Sequence, residues 1–142
     1  MPAADYNFEI EKGTSFYISF DYKDDTGTAI NLTNWCARLR WTDSNGVIKT
    51  YITNTTNSEY QFNIDPLIGR LIFRLPATST AAFTFTTASY DLELQEPNDL
   101  YNGGGKKVFR ILKGVITLMA RNVVGDDAFI CNTDTQDPCT TC

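Results

Sequence analysis

Apolar residues recur at every second position along most of this chain. Phe16, Ile18, Phe20 and Tyr22 alternate with Tyr17, Ser19 and Asp21, the spacing that sends one row of side chains to each face of a β-strand. The same rule puts Trp35, Ala37, Leu39 and Trp41 on one face and Cys36, Arg38 and Arg40 on the other. Tyr60-Gln61-Phe62-Asn63-Ile64 and Leu71-Ile72-Phe73-Arg74-Leu75 repeat it, and Tyr90-Asp91-Leu92-Glu93-Leu94 alternates strictly. Val108-Phe109-Arg110-Ile111-Leu112 runs through Lys113-Gly114 into Val115-Ile116-Thr117-Leu118-Met119. The expected core is Phe16, Phe20, Trp35, Leu39, Trp41, Leu71, Phe73, Tyr90 and Leu92.

Turn chemistry separates these runs. Asp24-Asp25-Thr26-Gly27 and Asp43-Ser44-Asn45-Gly46 end in Gly, which takes the positive φ of tight turns, so both predict hairpins. Asn102-Gly103-Gly104-Gly105 marks a mobile loop between Leu94 and Val108. Pro76–Phe83 is too short for a load of helical packing and reads as a connection between two sheets, with Phe83 or Phe85 plugging an open end of the core. Many short strands and no βαβ alternation predict an all-β, antiparallel β-sandwich of seven to eight strands. Residues 1–124 form that domain, and 125–142 are expected to be a flexible, cysteine-containing C-terminal extension.

Composition narrows the chemistry. At 142 residues, with 42% hydrophobic and 20% charged residues, the chain suits one core. It contains no His, so the usual general base near neutral pH and the commonest zinc ligand are missing. A net charge of −5 is the opposite of a phosphate-neutralising footprint, which argues against nucleic acid as a partner. Met1–Tyr6 has neither a basic nor an apolar segment of a secretion signal, and no run reaches the roughly 20 apolar residues of a membrane-spanning helix. The reading is a soluble chain made in a cytoplasm, with no membrane partner and no cofactor.

Candidate reactive groups each have a plainer explanation. Asp24-Asp25 and Asp126-Asp127 lie in turn-like or tail-like sequence, where carboxylates stay solvated; Asp91 and Glu93 share one strand face, as on a polar outer surface. No calcium loop of the D-x-[DN]-x-[DN]-G type is present, and Gly103-Gly104-Gly105 before Lys106-Lys107 lacks the strand-to-helix context of a phosphate cradle. Cys131, Cys139 and Cys142 leave tail disulfide, free thiols and an intermolecular metal site open. Arg38, Arg40, Arg70 and Arg74, with Tyr17, Tyr51 and Tyr101, are the candidate interface residues, because planar guanidinium and phenol groups suit protein contacts. Cross-strand ion pairing is the alternative for the arginines. Trp35 and Trp41 raise a carbohydrate-binding module as another class, though both share a face with Leu39 and suit a core.

The order of segments resembles small immunoglobulin-like β-sandwich proteins of tailed-bacteriophage virions, including the N-terminal domain of upper baseplate proteins and neck, tail or fibre-attachment proteins. The resemblance runs over about residues 8–122. It rests on Ile30-Asn31-Leu32-Thr33-Asn34-Trp35 leading into Ala37-Arg38-Leu39-Arg40, then Gly69–Pro76, Thr80-Ala81-Ala82, Tyr90–Leu94 and Phe109–Ile116 with its central Gly114. It implies a non-enzymatic virion component, an adaptor assembled in the host cytoplasm. Its implied partners are other virion proteins, with several copies in a symmetric assembly. A capsid decoration protein is the variant within that class. The cysteine tail departs from the pattern.

Overall fold

In a computed structural model, which describes residues 3–53, 61–99 and 105–120, the alternating runs fold into two β-sheets. The strands are β1 (Ala4–Asp5), β2 (Phe8–Glu11), β3 (Phe16–Asp21), β4 (Cys36–Asp43), β5 (Ile48–Ile52), β6 (Phe62–Asp65), β7 (Arg70–Leu75), β8 (Thr87–Asp99) and β9 (Lys106–Met119). The larger sheet has the order β1-β9-β8-β4-β5, with β2 also against β9; the smaller is β3-β7-β6. The chain is therefore all-β. The tail, with Cys131, Cys139, Cys142 and Asp126-Asp127, and also Tyr101, lie outside the described residues.

Two departures concern the N-terminus. Nine strands are seen among the described residues instead of seven or eight, and β1 and β2 run parallel to β9 in a sheet expected to be wholly antiparallel. Ala4 lies opposite Leu112 and Phe8 opposite Ile116, so the two pieces share one register and form a single edge row broken at Tyr6-Asn7. Such short pieces carry little period of their own, and their partner is far away along the chain.

At the break the two backbones nearly touch. The Tyr6 N–H donates to the Lys113 carbonyl at 2.9 Å, and the Val115 N–H donates to Asn7 Oδ1 at 2.8 Å. The buried Tyr90 hydroxyl donates to the Tyr6 carbonyl at 2.5 Å. Gly114 sits under this crossing, and a Cβ there would overlap the Tyr6 carbonyl and lie 2.9 Å from Asn7 Oδ1. Only a residue without a side chain permits the approach.

The expected hairpin at Asp43–Gly46 joins β4 to β5. Asp43 Oδ1 accepts the N–H groups of Asn45 and Val47, both at 2.9 Å, and Gly46 takes φ 81°. Pro76 ends β7, and helix α1 (Ala77–Ala81) carries the chain to the other sheet, after which both Phe83 and Phe85 are buried at the end of the core. Thr80 ties this crossing to the turn after β2: its buried hydroxyl accepts from the Gly13 N–H at 3.0 Å and donates to the Thr14 carbonyl at 2.7 Å.

Leu39, Trp41, Leu71, Phe73, Tyr90 and Leu92 are buried between the sheets, as the alternation predicts. Phe16 and Phe20 pack against this core but are only half-buried, and β3, which carries them, is one of the two edge strands of the smaller sheet. Trp35 is half-buried as well; it precedes β4 and stacks on Phe109 with centroids 6.3 Å apart.

Tyr51 corrects an expectation. A candidate interface residue should show its ring on the outside, yet Tyr51 pairs in register with Leu39 and turns inward, its ring 4.9 Å from that of Phe73 and 5.3 Å from that of Trp41. Ile48 and Ile52 take the outward positions instead, so this strand runs against its own hydrophobic pattern. The hairpin register decides the matter, since a one-residue slip would invert every facing.

Burial pushes the Tyr51 hydroxyl up to about 12 and shifts the Tyr90 hydroxyl upward too. Above the ordinary phenol value of about 10 the unfolded chain then loses protons first and stability falls, by about 1.4 kcal/mol per pH unit for each group. This contribution is constant below about pH 10. Urea unfolding measured across this alkaline range is expected to show that decline. Tyr51→Phe, which keeps the ring, should remove close to half of the slope, and an unaltered slope would contradict the inward placement.

Candidate interaction surfaces

The outer face of the larger sheet is a lattice of opposite charges set by strand register. Arg40 on β4 faces Asp91 on β8, which faces Lys113 on β9, which faces Asp5 on β1. One step along, Arg38 faces Glu93, which faces Arg110. Both the Nε and Nη2 of Arg38 donate to Glu93 Oε1, at 2.9 and 2.5 Å. Arg110 reaches Asp91 at 3.3 Å, and Lys113 stands 4.0 Å from Asp5. Arg40 is exposed.

This geometry decides what Asp91 and Glu93 do. Each is engaged by a different arginine, on opposite neighbouring strands, and both lie on an open face. That arrangement does not enclose a substrate between two carboxylates, as acid–base hydrolysis needs. The Arg38–Glu93 pair is part-buried, whereas the Arg110–Asp91 and Lys113–Asp5 pairs are exposed and contribute little to stability.

The outer face of the smaller sheet is built from Tyr17 and Asp21 of β3 and Arg70 and Arg74 of β7. Tyr17, 57% exposed, lies opposite Arg74 in register, and the guanidinium sits 5.5 Å from the ring centroid. Four residues along, Arg70 forks onto Asp21, with Nε to Oδ1 at 2.7 Å and Nη2 to Oδ2 at 3.3 Å. The Arg70 hydrogen bond holds the Asp21 carboxyl below its ordinary range. Tyr17, Arg70 and Arg74 thus share one surface, whereas Arg38 and Arg40 lie on the opposite side of the molecule.

Between the sheets, on the side where β3 and β1 are both edges, a cavity of about 460 Å³ opens. Tyr6, Phe20, Tyr22, Phe109, Ile111 and Leu112 line it, with Asp5 and Lys23 also on its wall. The sequence carried no sign of this cavity, because its walls come from four separate segments. The charge partners Lys113 and Asp5 were missed as well: their pairing depends on the parallel register of β1 with β9.

The remaining candidates are placed as follows. Trp41 is 1% exposed and surrounded by Tyr51, Phe73, Phe83 and Phe85, so it offers no ring face to a sugar. Asp24 Oδ1 accepts from the Thr26 hydroxyl and from the N–H groups of Thr26 and Thr28, which lowers its pKa and closes the local turn. Cys36 is a free, partly exposed thiol. Among the described residues no group of three or more Cys, Asp or Glu is placed to hold a metal ion, and no helix is long and apolar enough to cross a membrane. No family model matches the sequence, and no curated protein matches it.

Proposed function

We propose that this chain is a non-enzymatic structural module of a tailed-phage particle, an immunoglobulin-like adaptor that joins larger parts in the tail, baseplate, neck or fibre-attachment region. The observation that carries the reading is the pairing of a two-sheet body with aromatic and arginine groups displayed on its outer faces, above all Tyr17 beside Arg74. Arginine and tyrosine are the residues that protein interfaces favour, and both are held here by neighbours on adjacent strands. The resemblance to virion sandwich proteins supports the same class. Its segments fall on structurally central pieces: Gly69–Pro76 contains β7, the middle strand of the smaller sheet, and Phe109–Ile116 contains the Gly114 crossing.

Mass spectrometry and cryo-electron microscopy of purified particles from the source of this chain test the proposal. Symmetric density for it at the tail, baseplate or neck is the expected result. Density on the capsid lattice would replace the adaptor by a decoration role. Absence of the chain from every particle would overturn the virion reading.

A further inference from the structure

Strand β3 is an edge of the smaller sheet, hydrogen-bonded to β7 alone among the described residues. Its inward row is unusual. Phe16, Ile18, Phe20 and Tyr22 all point toward the core, yet all four are only half-buried, while Leu71, Phe73 and Leu75 on the adjacent β7 are fully buried. The side of the molecule carrying β3 therefore keeps apolar surface at its rim, next to the cavity walled by Tyr6, Phe20 and Tyr22.

The backbone on that side is equally unfinished. Tyr22 donates its N–H across to Gly69, which fixes the parity of the ladder: the even-numbered residues of β3 turn their N–H and C=O groups toward β7. Tyr17, Ser19 and Asp21 consequently direct theirs outward, as three evenly spaced donor and acceptor positions on a free edge.

We propose that β3 is a homodimer edge, and that a second copy of this chain pairs with it antiparallel about a two-fold axis passing through Ser19. The register follows from the parity. Ser19 faces Ser19 of the partner subunit, and Tyr17 faces Asp21 of the partner subunit, each as a hydrogen-bonded pair. On the outer face this creates a row from Arg74 through Tyr17 to the partner subunit's Asp21 and Arg70, cation next to ring, ring next to carboxylate, carboxylate next to cation. Lys23 falls opposite Ser15 of the partner subunit, so no like charges oppose one another along the strand.

The inward faces match as well. Ile18 meets Phe20 of the partner subunit, and Phe16 meets Tyr22 of the partner subunit. The four half-buried side chains of each copy cover those of the other. A flat edge carrying this much apolar surface is otherwise an aggregation hazard, and closed two-fold pairing removes it. The inference goes beyond the virion reading and does not depend on it, because it concerns the purified chain alone.

Sedimentation of the full-length chain across concentration gives the first test. A dimer is expected at protein concentrations on the order of 100 µM, and a monomer at that concentration would overturn the proposal. Ser19 opposes itself only in this register, so Ser19→Lys sets two cations face to face. That variant should weaken the dimer at least about tenfold, and so should Ser19→Asp. An equimolar mixture of the two should restore association, since Lys then opposes Asp; a mixture that stays monomeric, or variants that dimerise like the parent, would overturn the register.

Ser19 lies exposed on the outer face, so the monomer fold is expected to survive both substitutions. Hydrogen exchange on the unmodified chain gives a readout that needs no variant. Protection of the Tyr17, Ser19 and Asp21 amides should rise with protein concentration, and fast exchange at every concentration would overturn the pairing.

Discussion

Gly114→Ala is expected to destabilise the fold by on the order of 3 kcal/mol or more. In a strand interior the same change ordinarily helps by about 0.5–1 kcal/mol, since alanine loses less backbone freedom on folding. The sign reverses here because the new methyl group would occupy the space of the Tyr6 carbonyl, with Asn7 Oδ1 close by. Relief would require lifting Tyr6 and Asn7 away from β9. That movement breaks the Tyr6 to Lys113 and Val115 to Asn7 hydrogen bonds and strands the buried Tyr90 hydroxyl without its acceptor. Urea unfolding measures the loss, and limited proteolysis near residues 3–7 should show the edge row released. A neutral or stabilising effect would mean that the crossing is looser than described.

Phe73→Ala should cost a further large amount, about 3–5 kcal/mol. Its ring is fully buried and meets Phe16, Trp41, Tyr51 and Phe62 at centroid distances between 4.9 and 6.4 Å, so its removal opens a void shared by both sheets. Trp35→Ala makes the control. Trp35 is the larger residue but stands half-buried at the margin, and about 1–2 kcal/mol is expected from the apolar area it covers. Equal losses in thermal or urea unfolding would contradict the difference in burial between the two rings.

The legible parts of the fold were those in which local pattern and tertiary position agree. Leu39 and Trp41, Leu71 and Phe73, Tyr90 and Leu92 alternate with polar neighbours and are buried, since one face of each central strand is covered by the opposite sheet. The Asp43–Gly46 turn was legible because its side-chain hydrogen bonds are local. Tyr51 was not, because its facing is inherited through the hairpin from Leu39 and opposes the pattern of its own strand. Phe16 and Phe20 were placed on the correct face, but alternation says nothing about whether a strand is central or at an edge, so their partial exposure was hidden.

On the surface, Arg38 and Glu93 were both singled out by position, but their contact was not, since pairing of β4 with β8 joins segments 55 residues apart. The Tyr17–Arg74 and Asp21–Arg70 contacts were hidden for the same reason: register between distant strands is a property of the folded sheet. The cavity beside β3 lay beyond reach altogether, being defined by what four segments fail to fill.

The parallel row formed by residues 4–11 along β9 also bears on the order in which the sheet can be completed. Asn7 and Val115 are 108 residues apart in sequence, and Lys12 closes against Met119. During synthesis residues 4–11 leave the ribosome well before β9 and have no strand to join until β9 has followed them out. The hairpin of β8 and β9, whose contacts are local, is expected to form ahead of that step, so residues 4–11, made long before β9, are expected to be secured only after it.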